Sequence, residues 1–269
     1  MGCQYHAEAQ RSRVRREMFW RCVRHRAVTE STNRDARAGA PGEVFTADLQ
    51  TAGRGRLDHH WLSPPGENLL MSAVVGVEGV PPEEVATLPL VAGLAVANMA
   101  VEFFTRQGKA ATAAVVRLKW PNDVLVDGRK LCGILCERVE DRVIVGLGLN
   151  VRQVRFAPEI EGRATSLLRE LGEDLDVRVS DVRDSILDHL GAALSQWRGG
   201  GFRSVWPAIC RLDFLKGREL SVARVENDSA PVKGVCEGIG PDGALLVAGV
   251  SVYAGEAHVV VRGDVRQNA

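Results

Sequence analysis

Between Val115 and Leu147 the chain carries four short, strongly β-prone segments with no room for a helix between them: Val115–Lys119, Val124–Val126, Leu131–Val139 and Arg142–Leu147. Asp127-Gly128 separates the second from the third, and this dipeptide between β-branched runs signals a two-residue hairpin turn, since both residues tolerate positive φ. Strands joined this closely pair antiparallel, because a parallel pair needs a long crossover. Two further strands are expected at Val44–Leu49 and Asn68–Val77. The cover for this sheet has to come from helices elsewhere. Ser31-Thr32-Asn33 before Arg34–Arg37 has the composition of a helix N-cap. Glu83–Arg106 reads as one long helix with Pro82 just ahead of it. A second helix runs from a Ser180 cap to about Trp197, with Val182, Ile186, Leu190, Ala193 and Trp197 on one face. Strands and helices without a regular βαβ rhythm predict an α+β main domain.

After Lys216-Gly217 the texture changes. Leu220–Val225, Val232–Gly238, Ala244–Ala248 and Glu256–Val261 are short strands separated by turns such as Gly240-Pro241-Asp242-Gly243. Their close spacing, with no helix between them, predicts a small β-barrel of about 50 residues.

The 269 residues carry 34 basic and 34 acidic side chains, a formal charge of zero. That argues against non-specific nucleic-acid binding by the chain as a whole. The balance is uneven: residues 1–28 hold seven arginines and two glutamates, leaving 27 basic and 32 acidic residues beyond them, net −5. The run Arg11–Arg16 reads as a solvated basic extension, with Met18 as a second possible initiator. Leu88–Val101 is apolar for about fourteen residues, short of the roughly 20 that span a bilayer, so it reads as a buried helix. No apolar h-region precedes it, and a cytoplasmic protein is expected. The six cysteines (3, 22, 132, 136, 210 and 236) form no CxxC pair and read as reduced, buried thiols; Cys132 and Cys136 share one face of a strand.

Three clusters carry chemistry. Gln50-Thr51-Ala52-Gly53-Arg54-Gly55-Arg56, continuing to Trp61, alternates glycine with arginine, so that backbone can bend closely around a ligand while guanidinium forks reach anionic oxygens. A surface turn with two solvated arginines has the same composition. Lys119-Trp120-Pro121-Asn122-Asp123, followed by Lys130, contains two of only five lysines in the chain. Asp123 can hold Mg²⁺ through one carboxylate while phosphates and water complete the shell; Lys119 and Lys130 can neutralise a phosphate and a carboxylate. A Pro-Asn-Asp turn with solvated lysines also accounts for these residues. The third cluster, Gly146-Leu147-Gly148-Leu149-Asn150, lacks the downstream glycine and acidic residue of a dinucleotide fingerprint, but permits close approach of something flat to a strand end.

Together with Glu30-Ser31-Thr32-Asn33 and Arg129-Lys130-Leu131-Cys132-Gly133-Ile134-Leu135, these clusters resemble the biotin protein ligase family in order and spacing, from about Val28 to Val261. The resemblance is to the monofunctional form, without a helix-turn-helix domain. It implies an α+β fold like that of the class II aminoacyl-tRNA synthetases, a mixed sheet flanked by helices, followed by a small SH3-like β-barrel. The implied boundaries are a basic extension at 1–27, a catalytic domain at 28–215, the barrel at 216–263 and a tail at 264–269. It further implies that biotin and MgATP form biotinyl-5′-AMP, and that biotin then passes to one lysine of a biotin carboxyl carrier domain. The protein is expected to be a monomer or weak homodimer, with neither nucleic acid nor membrane as a partner.

Motif by motif, the resemblance assigns Ser31, Thr32 and Gln50 to the fused rings of biotin, with Asn33 also in the biotin site. Gly53, Arg54, Gly55 and Lys130 line the channel toward its carboxylate, with Gly133 and Leu135 beside it. Arg56 reaches the phosphate, Trp61 covers adenine, and Lys119, Asn122, Asp123 and Asn150 fall where the family binds ATP and its metal, with Asp123 the metal ligand. Arg56, Lys119, Asp123 and Lys130 are the candidate catalytic set. Two other readings use the same residues less well. A lipoate protein ligase shares the fold but lacks the Gly53-Arg54-Gly55-Arg56 and Lys119–Asp123 motifs, and a DNA-binding biotin sensor is expected to need a helix-turn-helix module for which the first 28 residues leave no room.

The stretch Leu57-Asp58-His59-His60 departs from the family, in which several members carry further arginines or a glycine. Asp58 brings negative charge to a loop expected to meet phosphates, and the two histidines partly replace the missing cations. Retention of the adenylate is therefore expected to be weaker than in arginine-rich members and to change between about pH 6 and 7. Stopped-flow release of biotinyl-5′-AMP from His59→Ala and His60→Ala proteins checks this; unchanged rates across that range in both would remove the idea.

Overall fold

The four closely spaced segments form one half of a seven-stranded sheet in the computed structural model, which describes residues 19–57, 59–172, 175–224 and 230–260. The strands are β1 (Cys22–Thr29), β2 (Glu43–Gln50), β3 (Leu69–Gly76), β4 (Val116–Lys119), β5 (Asp123–Val126), β6 (Arg129–Val139) and β7 (Arg142–Leu149). Their spatial order is β1-β2-β3-β7-β6-β5-β4. β1 runs parallel to β2 and every other neighbouring pair is antiparallel, so the sheet is mixed. Asp127 and Gly128 form the expected hairpin turn, with φ of 48° and 74°.

Helices α1 (Thr32–Ala36), α2 (Pro82–Val85), α3 (Leu88–Arg106), α4 (Ala110–Ala114), α5 (Leu167–Leu171) and α6 (Val179–Leu212) accompany the sheet. α3 is apolar nearly all round, and Val91, Val96, Ala97, Met99, Ala100 and Phe104 are fully buried. It is a core helix, packed between the sheet and α6. The single helix expected over Glu83–Arg106 is two: Pro82 lies inside the first turn of α2, and Pro89 in the first turn of α3. A helix running through residue 89 would lose an N–H donor and drive the proline ring into the carbonyl of Val85, so the chain breaks before it. The second expected helix starts at Val179, with Arg178 rather than Ser180 as its cap, and continues past Trp197 to Leu212 after a break at Gly200-Gly201.

Strand β1 lies mostly inside the segment expected to be an extension. Trp20, ahead of it, is buried and donates from Nε1 to the Leu187 carbonyl at 2.9 Å. β1 has no readable apolar period because seven of its eight residues are exposed. It is an edge strand held by backbone pairing and by ion pairs of Arg24 with Glu43 (2.6 Å) and Arg26 with Asp35 (3.5 Å), with His25 Nε2 3.3 Å from Asp48. Arg11–Arg16, Met18, Cys3, Asp58 and the tail at 264–269 lie outside the described residues.

A second sheet has five strands, β8 (Glu219–Arg224), β9 (Val232–Ile239), β10 (Leu245–Val247), β11 (Val250–Val252) and β12 (Gly255–Val259), in the order β11-β10-β9-β8-β12. β11 is additional to the strands expected from sequence. The two sheets share one hydrophobic core, which includes Leu220, Val222, Ile239 and Leu245 together with residues of α3 and β4. Trp120 Nε1, just after β4, donates to the Gly243 carbonyl (3.1 Å) and Trp206 Nε1, on α6, to the Ile239 carbonyl (2.7 Å), tying the second sheet to the main domain at two points.

Of the described cysteines, Cys132 and Cys236 are buried, Cys136 and Cys210 partly buried, and all are free; Cys22 is exposed on β1, contrary to the expectation of a buried thiol. Burial pushes the Cys136 thiol up to about 12 and Cys236 to about 11, which keeps both protonated and unreactive at neutral pH.

Trp197 fills the seam between α6 and the start of α3, donating from Nε1 to Thr87 Oγ1 at 3.2 Å. Trp197→Ala is expected to destabilise the protein by about 3–5 kcal/mol, measured as a shift of the urea unfolding midpoint.

Candidate active site

Alternation along the strands gives the main sheet two different faces. On β6, Cys132 and Ile134 point into the core beneath α3, so Gly133, Leu135 and Glu137 point the other way. Register extends that second face across the sheet. Lys119 lies opposite Asp123, Asp123 opposite Gly133, Gly133 opposite Gly148, and Gly148 opposite Leu70. The next row pairs Leu135 with Gly146 and Gly146 with Ser72. The KWPND, RKLCGIL and GLGLN segments, far apart in sequence, thus form one surface.

The two glycines of β7 make that surface a floor. A Cβ on Gly146 would lie 2.1 Å from Asn33 Oδ1, and one on Gly148 would lie 2.5 Å from the Trp61 indole. Asn33 and Trp61 therefore rest directly on backbone, which no larger residue at 146 or 148 allows.

Trp61 arrives from the glycine–arginine loop. Its backbone N–H donates to the Gly53 carbonyl (3.0 Å), the N–H of Gly55 donates to the His59 carbonyl (2.6 Å), and Arg54 pairs with His60, so residues 53–55 and 59–61 run side by side as a narrow hairpin. The Trp61 indole lies over Gly133 and Gly148 with Lys130 Nζ 5.7 Å from its ring centre. Lys130 forms an ion pair with Asp123 Oδ1 at 2.8 Å. Arg56 donates to the Gly255 carbonyl on the second sheet (3.1 Å) and reaches Asn122 Oδ1 at 3.5 Å. Burial lowers the Arg56 pKa, and the charges of Asp123 and Glu256 oppose that shift.

A second group surrounds α1. Gln50 Oε1 accepts from the Thr32 N–H (2.7 Å) and from Thr32 Oγ1 (3.0 Å). Ser72 Oγ bonds Thr32 Oγ1 (2.7 Å) and Asn33 Oδ1 (2.6 Å). Asn33 Nδ2 donates to Glu137 Oε2 (2.6 Å) and the Leu135 carbonyl (3.3 Å). Ser31, Thr32 and Asn33 are all buried.

Most of the residues singled out from sequence therefore converge: Ser31, Thr32, Asn33, Gln50, Gly53, Arg54, Gly55, Arg56, Trp61, Asn122, Asp123, Lys130, Gly133 and Leu135 surround one floor. Lys119 stands at its margin on the edge strand β4. The amides of Asn122 and Asn150 are spent on the scaffold. Asn122 Nδ2 donates to the Ile134 carbonyl (2.7 Å); Asn150 Nδ2 donates to the Thr165 carbonyl (2.9 Å) and reaches that of Lys130 (3.4 Å). Sequence reasoning passed over Ser72 and Glu137. The period of two from Gly133 through Leu135 was the signal that leads to Glu137.

Among solved structures, the biotin protein ligase from Aquifex aeolicus in complex with biotin and ATP is similar to this chain with a TM-score of 0.72 and 28% identity, covering 88% of this chain and 98% of its own. The fold and the glycine-floored site thus define a protein of the biotin protein ligase type. Residues 27–151 match the biotin/lipoate A/B protein ligase family, and the chain belongs to that family. A biotin--[acetyl-CoA-carboxylase] ligase of Paracoccus denitrificans is 34% identical over 83% of this chain and 92% of its own length. One of the same description from Mycobacterium tuberculosis is 40% identical, the match spanning 66% of each chain.

Gly148→Val is expected to push the Trp61 indole off the sheet. Acrylamide quenching of tryptophan fluorescence should rise at an unchanged melting temperature, since Trp20, Trp120 and Trp197 are buried elsewhere.

Proposed function

We propose that the chain is a cytoplasmic biotin protein ligase, a biotin--[acetyl-CoA-carboxylase] ligase, that joins biotin and MgATP to give biotinyl-5′-AMP and then transfers biotin to one lysine of a biotin carboxyl carrier domain. The observation that carries this reading is the meeting, on one glycine-floored surface, of the buried Ser31 and Thr32 with half-buried Gln50, the Lys130–Asp123 pair and the Arg54/Arg56 loop. The Paracoccus relative, matched over nearly its whole length, supports the same activity.

In this reading the fused rings of biotin take hydrogen bonds from Ser31, Thr32 and Gln50, while Asn33, resting on Gly146 with its amide bonded on both sides, shapes the pocket beside them. The carboxylate points toward Lys130 and Arg54, with Gly53 and Gly55 letting the loop close around it. Trp61 stacks on adenine, while Arg56 and Lys119 lie around the nucleotide and Asn122 and Asn150 hold the strands that position them. A carboxylate attacking an α-phosphate approaches an anionic centre, and fixed cations offset that repulsion most in the crowded transition state. Holding the reactants in line supplies a further part of the acceleration. No covalent protein nucleophile is needed.

Mg²⁺ enters as part of the nucleotide substrate. The described residues contain no group of three or more potential metal-ligating side chains, which suits a metal held mainly by phosphates and water with Asp123 as its one protein ligand. The five-stranded sheet is, in this proposal, an SH3-like companion beginning near residue 216, and its Gly255 carbonyl steadies Arg56.

Biotin-dependent ATP–pyrophosphate exchange tests the reading. Lys130→Ala and Asp123→Ala are each expected to lower exchange by about 100-fold or more, the scale of removing a preorganised charge from a reacting centre. Exchange stimulated by lipoate and not by biotin, or undiminished in both variants, would overturn it.

A further inference from the structure

Glu137 has no part in the roles assigned above, yet it is the carboxylate on which two parts of the site meet. It projects from β6 onto the same face as Gly133 and Leu135, and its side chain is only 20% exposed. Arg54 Nη2 donates to both its oxygens, at 2.9 Å to Oε1 and 3.0 Å to Oε2. Asn33 Nδ2 donates to Oε2 at 2.6 Å, and Arg37 Nη1 lies 3.7 Å from Oε1. From Asn33 the polar contacts continue to Gln50: Ser72 Oγ lies 2.6 Å from Asn33 Oδ1 and 2.7 Å from Thr32 Oγ1, and the Thr32 N–H donates to Gln50 Oε1 at 2.7 Å. An unbroken polar chain therefore joins the ring-binding end of the pocket to the guanidinium of the glycine–arginine loop.

We propose that Glu137 is a positioning residue that aims Arg54 at the substrate carboxylate and couples its setting to occupancy of the ring pocket. The inference rests on the biotin ligase reading. The contact uses Nη2, one of three nitrogens in a planar fork, so the remaining two can meet an incoming carboxylate while the first stays anchored. The anchor is charge-assisted, the stronger class of hydrogen bond, with Glu137 largely shielded and Arg54 half exposed to the site. Asn33 cannot move without disturbing it: Asn33 rests on Gly146 and is bonded on both sides of its amide. A ring system that engages Thr32 and Gln50 orders the same chain from its far end, so the loop arginine is preset when the carboxylate arrives.

Glu137→Gln keeps the size of the side chain and an acceptor for Asn33 but removes the charge that holds Arg54. In ATP–pyrophosphate exchange with biotin, ATP and labelled pyrophosphate, this variant is expected to raise KM for biotin about tenfold, the loss appropriate to one charge-assisted bond. KM for ATP and the melting temperature should stay near their wild-type values. Because Glu137 acts through Arg54, the Glu137→Gln/Arg54→Ala double variant should match Arg54→Ala alone in KM for biotin. Additive effects in the double variant, an equal rise in both KM values, or a fall in melting temperature with KM for biotin unchanged would overturn the inference while leaving the functional reading intact. Absence of biotin-dependent exchange in the wild-type protein would overturn the reading and the inference with it.

Discussion

Successive residues of β6 and β7 face opposite sides of the sheet, and the two sides are built to opposite requirements. On one side Cys132, Ile134, Val143, Val145 and Leu147 are buried against α3, and the sheet holds its shape because that face excludes water. On the other side Gly133, Gly146 and Gly148 withhold side chains, so that Asn33 and Trp61 lie on bare backbone. Each strand is thus fixed from beneath by close packing and kept open above. Without the first, the second would be a cavity free to collapse.

On that floor, charge is distributed in pairs. Lys130 meets Asp123, and Arg54 meets Glu137. Arg56 is bound to a carbonyl of the second sheet and an amide of the first. Partly buried cations held by neighbours present fixed charge at little reorganisation when an anion arrives. The shared core and the bonds from Trp120 and Trp206 hold the second sheet firmly enough for its Gly255 carbonyl to serve in this way.

How far the sequence could be read followed from how each element is stabilised. The hairpin at Asp127-Gly128 and the strands around it were legible because turn chemistry and β-branched runs are local signals. β1 was not, because an exposed edge strand held by pairing and by ion pairs such as Arg24–Glu43 has no apolar period. The break between α2 and α3 was announced by Pro82 and Pro89, yet the apolar run on either side concealed it. The residues that contact ligand in the proposed reading stood out by composition. Those that hold them, Ser72 and Glu137, did not, since a serine and a glutamate on strands are unremarkable until the opposite strand is known.

The sequence by itself determined the α+β class, the antiparallel pairing from β4 to β7, and the five clusters that carry the family resemblance. These depend on side-chain type and short spacing, which are fixed along the chain. The tertiary structure alone decided which residues share a row. Lys119, Asp123, Gly133, Gly148 and Leu70 come from four stretches of sequence and become neighbours only through strand register. It decided as well that Arg54 answers to Glu137, 83 residues away, and Arg56 to Gly255, 199 away. The physical reason is that a hydrogen bond between side chains is set by distance in space, and no local preference of either partner records it.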